Sequence, residues 1–276
     1  RFTRAEGTWH IMAAGTVRLG GKPDVSHIAL PDPNLYAALM FRQSLGQAGI
    51  AVHGGTRSTT DSMATRDARN GMPLAEVDSR PLRDWIFPIL NTSQNWYAEM
   101  LLKQLGRTFG TSGSWQEGLR VERRFLIDSV KADSSQFQLR DGSGLSAQNL
   151  VSPLTFAQLL QFVRAHPRYP VFAAGLPQSG VSGSLKNRFV KTPLEGRVRA
   201  KTGSISAVNT LSGYLESVGD STDLLPGHGP LRIFSIQANH HLLGGRSMIQ
   251  AIDSVVVEIG KGVRGPSCRV RCPAVP

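Results

Sequence analysis

At 276 residues the chain is one large domain or two, long enough to bury about 70–75% of its unfolded surface. Hydrophobic residues make up 40% and charged residues 18%, which excludes a disordered chain, and no apolar run is long enough to span a membrane. The formal charge is +11, yet the arginines are scattered, aromatics are few and no recognition motif accompanies them, so no nucleic-acid partner is expected.

Only seven of the 31 basic residues are lysines, at 22, 103, 131, 186, 191, 201 and 261. The excess charge fits a basic surface facing an acidic polymer or an anionic membrane face, or an arginine bias without function. The sequence opens at Arg1 rather than at a methionine, so the lack of a basic-then-apolar leader carries no information on export. Cys268 and Cys272 stand alone in the last nine residues. A chain otherwise free of cysteine suits an exported protein, and their spacing, with no histidines alongside, argues against a zinc site.

Residues 1–30 read as strand and loop: Trp9-His10-Ile11-Met12-Ala13 is a short apolar run and Gly20-Gly21-Lys22-Pro23 a turn. Asp32-Pro33 opens a helix, with Asp32 as N-cap and Pro33 at the first helical position. Leu35, Ala38, Leu39, Phe41, Leu45 and Ala48 give it a broad apolar face, and Gly49 ends it. Ile50-Ala51-Val52 is predicted as a strand, and the polar, aperiodic residues 54–73 as a long surface loop or domain hinge. Ser79 caps the next helix, Pro81 sits in its first turn, and Trp85, Ile86, Ile89 and Leu90 bury one side. The pattern breaks at Asn91-Thr92-Ser93-Gln94-Asn95 and resumes with Trp96, Ala98, Leu101, Leu102 and Leu105, closed by Gly106. Taken alone, Ser93 and Asn95 read as capping residues of that second helix.

Ser114-Trp115-Gln116-Glu117 has the form of a capping box, starting a helix whose buried line is Trp115, Leu119, Leu126 and Val130. Asp141-Gly142-Ser143-Gly144-Leu145-Ser146 is a tight loop, Ser152-Pro153 caps a helix carrying Phe156, Leu159, Leu160 and Val163, and residues 175–183 form a loop. Three strands follow, over 197–202, 210–218 and 231–238. The last two are joined through Pro226-Gly227-His228-Gly229-Pro230 as an antiparallel hairpin. A final helix from Ser247 aligns Ile249, Ile252, Val256 and Ile259, and nothing after Gly260 is periodic. There is no internal repeat. Helices, then three adjacent strands, then one helix predict an α+β fold with an antiparallel sheet flanked by helices.

Common chemistries can be checked against the residues. No Gly-x-Ser-x-Gly elbow and neither phosphate-loop pattern occurs, and the seven histidines show no metal spacing. His240 and His241 are adjacent at the end of a strand, which points them to opposite faces. No metal or organic cofactor is expected. What remains is Ser93-x-Asn95 and, 108 positions on (201 − 93), Lys201-Thr202-Gly203 followed by Ser204.

Alone, Lys-Thr-Gly is a strand running into a turn. Together the two stretches are elements of the acyl-transfer enzymes built on Ser-x-x-Lys, Ser-x-Asn and Lys-Thr-Gly. In that chemistry a serine alkoxide attacks an amide and backbone N–H groups hold the oxyanion. Ser93 would pass a proton to the leaving amine and Asn95 would hold a substrate amide. Lys201 would supply positive charge near that serine and near the substrate's carboxylate. Thr202 and Ser204 would bind that carboxylate, beside Gly203, where another backbone can approach closely. Such charge-assisted bonds contribute about 1.5–3 kcal/mol each.

With these motifs the chain resembles the class C low-molecular-mass penicillin-binding proteins, serine D-alanyl-D-alanine carboxypeptidases and endopeptidases of the bacterial cell envelope. The likeness also rests on the loop 141–146 followed by Asn149, on Gly183-Ser184-Leu185 with Arg188, and on Val198-Arg199-Ala200 leading into Lys201. Leu211-Ser212-Gly213-Tyr214, and upstream Asp32-Pro33, Tyr36-Ala37-Ala38 and Gly49-Ile50, extend it to roughly residues 9–260. The resemblance implies an incomplete penicillin-binding, β-lactamase-like transpeptidase fold. Residues 1–73 would be the remainder of an inserted domain and a hinge, 74–262 the C-terminal part of the peptidase domain, and 263–276 an atypical tail. It implies Ser93, Asn95 and Lys201 as catalytic residues and Thr202, Gly203 and Ser204 as substrate-binding ones, with Ser143 and Ser146 as turn residues supporting the site. The implied partners are peptidoglycan peptides ending in D-Ala-D-Ala, with β-lactams as inhibitors, at a periplasmic or cell-envelope location.

One departure matters. The family's nucleophile and its lysine, Ser-x-x-Lys, precede the inserted domain. Here the residues three before each lysine are Leu19, Met100, Asp128, Gly183, Arg188, Val198 and Glu258, and none is serine. The acylated serine, its base and one of two oxyanion donors are therefore expected outside this chain, the other donor being the Ser204 N–H. Loss of one donor alone costs about 2.7–4 kcal/mol. The chain would then be the C-terminal piece of a longer protein, which the start without methionine favours, or half of a processed two-chain enzyme, or a degenerate binding protein. Two other functions share the motifs. A serine β-lactamase needs a glutamate with an asparagine close by, and Glu99, Glu117, Glu122 and Glu195 have none three or four residues on. A non-catalytic peptidoglycan-binding protein would bind D-Ala-D-Ala peptides without hydrolysing them.

Overall fold

The computed structural model describes residues 2–21, 23, 25, 28–59, 70–216 and 231–261. Lys22 of the first turn, residues 60–69 of the expected hinge, the 226–230 connection and the 263–276 tail with Cys268 and Cys272 lie outside the described residues. Two compact units divide the chain after Asp78.

In the first unit, β1 (Phe2–Arg4) and β2 (Ile11–Ala13) pair antiparallel, with Phe2 opposite Ala13. Helix α1 (Pro33–Gln47) begins where a cap and a proline require it: Asp32 accepts a hydrogen bond from the Leu35 N–H at 2.9 Å. Gly49, just past its end, adopts φ +80°. Its apolar face is only partly covered among the described residues: Leu35, Ala38 and Leu45 are half-buried, while Tyr36, Leu39, Met40 and Phe41 are exposed. The strand expected at 50–52 does not form. Arg42 reaches from α1 to donate to the carbonyls of Val52, at 2.9 Å, and Gly54, so a guanidinium takes the place of a neighbouring strand.

The second unit contains α2 (Leu82–Leu90), α3 (Asn95–Phe109), α4 (Trp115–Asp128), β3 (Phe137–Gln138), β4 (Leu150–Val151), α5 (Pro153–Ala165) and α6 (Tyr169–Gly175). A short 3₁₀ turn (Gly183–Leu185), β5 (Val198–Ile205), β6 (Val208–Glu216), β7 (Leu231–Asn239) and α7 (Gly245–Gly260) follow. The last three strands form an antiparallel sheet in the order β5-β6-β7. On one face Val198, Ala200, Leu211, Leu215 and Phe234 pack against Ile252 and Val256 of α7 and against Leu185, Phe189 and Leu194. On the other, Tyr214 packs with Leu160 and Leu176 and donates from Oη to the Leu160 carbonyl at 2.8 Å. This is the expected α+β design, an antiparallel sheet between helical layers.

Several local expectations give way to tertiary structure. Ser79 does not cap α2: the residue before Pro81 is driven out of the helical region, the helix starts at Leu82, and the Ser79 hydroxyl donates to the Arg80 carbonyl. Gly106 does not end α3, which continues to Phe109. It is buried at the crossing with α4, where a Cβ on Gly118 would lie 2.2 Å from the Leu102 carbonyl oxygen. The capping box is half formed, with Ser114 accepting from the Glu117 N–H while the Glu117 carboxylate turns to the Thr111 N–H and to Arg120. Trp115 is exposed, because the buried line of α4 runs through Gly118, Val121 and Leu126 instead. Strand β5 does not stop at Thr202 but runs through Gly203 to Ile205 before turning at Ser206-Ala207, with Ala207 at φ +56°. Helix α6 and the two-residue strands β3 and β4 are not anticipated by pattern.

Candidate active site

Helix α2 carries Pro88 in its interior and ends two residues later. Proline has no N–H to continue the ladder. The chain then turns through 91–94, where the Gln94 N–H and the Thr92 hydroxyl both donate to the Pro88 carbonyl, at 3.0 and 2.9 Å. Ser93 sits in this turn at φ +58°, a left-handed conformation that costs a non-glycine residue on the order of 1 kcal/mol. Helix α3 begins at Asn95 with Gln94 in the N-cap position and no side-chain cap. Neither Ser93 nor Asn95 is a capping residue, so the Ser93 hydroxyl is free for a tertiary partner.

That partner is Lys201. Among the described residues, strand β5 is paired with β6 along one side only, apart from an isolated bridge between Arg199 and Gln178. Its period of two puts Lys201 on one face and Thr202 and Ser204 towards the other. Lys201 Nζ donates to Ser93 Oγ at 3.0 Å and to the Thr202 carbonyl at 2.8 Å. Neither oxygen carries a formal charge, and burial holds the Lys201 pKa below the usual lysine range. Thr202 Oγ1 donates to Ser184 Oγ at 2.9 Å, and Ser204 Oγ accepts from Asn209 Nδ2 at 2.6 Å. Gly203 is needed where it stands, since a Cβ would lie 2.5 Å from Thr210 Oγ1 on β6. Asn95 opens α3 beside this group, but its side chain makes no hydrogen bond among the described residues.

The turn before Ser93 and the turn that carries Ser184 are tied together behind the site. Asn91 is only 4% exposed and donates through Nδ2 to Ser182 Oγ at 3.1 Å and to the Leu176 carbonyl. Gly183 takes φ +57° against it, and a Cβ there would come within 2.5 Å of the Asn91 carbonyl. The turn that carries Ser184 is thus seated on the residue two before Ser93. One turn into α3, Glu99 accepts from the Gly142 and Ser143 N–H groups and from Trp115 Nε1, at 2.8 Å. Asp141 accepts from the Gly144 and Ser146 N–H groups and from Asn149 Nδ2. Two carboxylates therefore shape the 141–146 loop. Beside them the Glu122 carboxyl is buried, and desolvation together with Asp141 and Glu99 pushes its pKa up to about 7.

The arrangement offers a hydroxyl in contact with a lysine of lowered pKa on one side of β5, and two further hydroxyls on the other. It can move a proton and hold an anion. Among the described residues no group of three or more His, Cys, Asp or Glu side chains is placed to hold a metal, and no helix is long and apolar enough to cross a membrane. Ser184, Asn91, Asn209 and His241 join the group without having been singled out as site residues by spacing. Ser184 had a usable signal in Ser182-Gly183-Ser184 upstream of the lysine strand, whereas Asn209 meets Ser204 through the β5–β6 register and His241, after β7, meets Asn209.

Known proteins supply the remaining comparison. The family model of the D-Ala-D-Ala carboxypeptidase 3 (S13) family matches residues 2–258. A D-alanyl-D-alanine carboxypeptidase of an Actinomadura species is 31% identical over 263 residues, covering 94% of this chain and 46% of that protein. The penicillin-sensitive carboxypeptidase A of Dictyostelium discoideum is 29% identical over 91% of this chain and 47% of its own length. The chain thus spans just under half of each of these relatives. Among solved structures, penicillin binding protein 4 of Haemophilus influenzae, complexed with a β-lactam, superposes with a TM-score of 0.66 at 23% identity. It covers 85% of this chain and 53% of that one, and the likeness is one of fold. By its matched residues this chain belongs to the D-Ala-D-Ala carboxypeptidase 3 (S13) family.

Proposed function

We propose that this chain supplies the Ser93–Lys201 wall of the active site of a serine-type D-Ala-D-Ala carboxypeptidase or endopeptidase. Its substrates are peptidoglycan stem peptides, cleaved through an acyl-enzyme. The observation that carries the reading is the 3.0 Å contact between Lys201 Nζ and Ser93 Oγ, made across 108 positions (201 − 93) of sequence. Ser93 hands its proton to the departing amine nitrogen, and Lys201, with its pKa lowered by burial, replaces it more readily than a solvated lysine would. Asn95 holds a substrate amide. Thr202 and Ser204, beside Gly203, hold the terminal carboxylate. The nucleophile and its lysine belong to a Ser-x-x-Lys segment outside this sequence. Residues 1–73 are the remainder of an inserted domain and hinge, 74–262 the C-terminal part of the peptidase domain, and 263–276 a tail. The names of the relatives support the substrate class, the β-lactam complex of the Haemophilus protein supports β-lactams as inhibitors, and the substrate puts the protein in the cell envelope.

The test is labelling with a fluorescent penicillin, on the protein joined to its own upstream polypeptide. The wild type forms a stable adduct, and Lys201→Ala abolishes it with the circular dichroism spectrum unchanged. Undiminished labelling of Lys201→Ala refutes the role given to Lys201. Rapid β-lactam turnover without a lasting adduct would move the reading to a β-lactamase. Binding of D-Ala-D-Ala peptides with neither hydrolysis nor labelling would move it to a non-catalytic binding protein.

A further inference from the structure

Ser204 does not stand alone at the end of β5. Asn209 lies directly across the β5–β6 hairpin from it, is 3% exposed, and donates from Nδ2 to Ser204 Oγ at 2.6 Å. The other end of the same amide, Oδ1, meets His241 Nε2 at 2.9 Å. His241 follows β7, with its Nδ1 on the Leu243 carbonyl at 3.0 Å and its backbone N–H on the Ala207 carbonyl at 3.2 Å. Ring, amide and hydroxyl therefore form one line across the end of the three-stranded sheet. A buried amide is costly unless both of its ends are bonded. The hairpin itself does not require an amide here, since neither the turn at 206–207 nor the strand pairing uses the Asn209 side chain.

We infer that Asn209 and His241 are positioning residues that turn the Ser204 hydroxyl towards a substrate carboxylate. A hydroxyl has one proton to give and two lone pairs to fill. Asn209 Nδ2 fills one lone pair, so the Ser204 proton is not spent inside the protein and points to an incoming anion. The Leu243 carbonyl and Asn209 Oδ1 are both acceptors, so His241 sets the sense of the amide with a proton on each ring nitrogen, Nδ1–H held by Leu243 and Nε2–H holding Oδ1. With the amide reversed, Oδ1 would draw the Ser204 proton inward and the hydroxyl would offer only lone pairs to a carboxylate. The inference rests on the carboxylate-binding role proposed above for Ser204, and it explains why a neutral hydroxyl there discriminates for an anion.

The experiment has two arms on the 276-residue chain. The first uses no ligand: long-range proton–nitrogen NMR of the histidine rings in wild type and in Asn209→Asp. The His241 Nε2 resonance is expected to shift in the variant, and an unmoved resonance overturns the hydrogen-bonded line itself. The second titrates a diacetyl-L-Lys-D-Ala-D-Ala peptide and its C-terminal amide, followed by chemical-shift changes. Wild type is expected to prefer the carboxylate form at least tenfold. Asn209→Asp, which replaces the donor by an acceptor of the same shape, reduces the preference to within twofold. His241→Leu reduces it several-fold from a half-buried position after the end of β7, and His241→Gln, which keeps a side-chain N–H, restores most of it. A wild-type preference untouched in both Asn209→Asp and His241→Leu overturns this inference alone. No preference in wild type overturns it together with the carboxylate reading of Ser204, so the two failures are told apart.

Discussion

Burial moves two ionisable side chains of the second unit in opposite chemical senses: it disfavours the proton on Lys201 and favours the proton on Glu122. For Lys201 the consequence is chemical, because among the described residues the ammonium hydrogen-bonds to the uncharged oxygens of Ser93 and Thr202. For Glu122 it is a matter of stability. Its Oε2 is buried without a partner among the described residues, and Asp141 and Glu99 oppose its ionisation. An acid raised from 4.5 to about 7 holds its proton in the folded state after the unfolded chain has released it. Folding stability therefore falls as pH rises through that window. By the time the folded carboxyl ionises, roughly 3 kcal/mol of stability is lost relative to acid pH. Glu122→Gln cannot ionise and keeps the shape. Chemical denaturation should find the variant close to wild type at pH 4 and more stable by up to that amount at pH 8. A gap between the two that does not widen with pH would rule out this role for Glu122.

At the level of elements, the α3–α4 crossing sets the frame on which Ser93, Asn95 and the 141–146 loop sit. Gly118 meets the Leu102 carbonyl, and Gly106 meets the Gly118 N–H side of the same crossing, so the two backbones approach with no room for a methyl group. Gly118→Ala should destabilise by about 1–3 kcal/mol or more through overpacking, visible as a lowered Tm. Gly113→Ala, where a Cβ meets nothing closer than 3.7 Å, serves as the control and should shift stability by less than about 0.5 kcal/mol. The same pair of helices shows what a sequence can and cannot display. The caps at Asp32, Ser114 and Ser152 are legible because a cap is a local hydrogen bond whose partners lie three residues apart. Gly106 is not, because a glycine reads alike whether it ends a helix or lets another helix approach. Ser93 reads locally as a cap, and its use by Lys201 depends on a residue far along the chain. The motif pair made the Ser93–Lys201 contact expected, whereas the continuation of β5 through Gly203 depends on Thr210 opposite it. The strands β3 and β4 are two residues long, too short to show any period.

Across the whole molecule the burial is uneven. Every buried side chain among the described residues belongs to the second unit, and the first has none. The sheet β5-β6-β7 closes on α7 through side chains such as Val198, Leu211, Leu215 and Val256 that are inaccessible to solvent. Helix α1 has its Asp32 cap and the contacts of Arg42, but Leu39 and Phe41 face outward. A helix of 15 residues with one cap, the Arg42 contacts and no fully buried side chain is marginal in water. The two units should therefore open independently, at very different free energies. Hydrogen exchange on the intact chain is expected to show the amides of Leu211 to Leu215 protected more than about a thousandfold, near the limit of global unfolding, and those of Met40 to Ser44 by less than about tenfold. The comparison is internal, so it holds whatever the overall stability. Equal protection of the two segments would mean that the apolar face of α1 is covered in solution, and the separation of the molecule into a stable and a marginal unit would have to be abandoned.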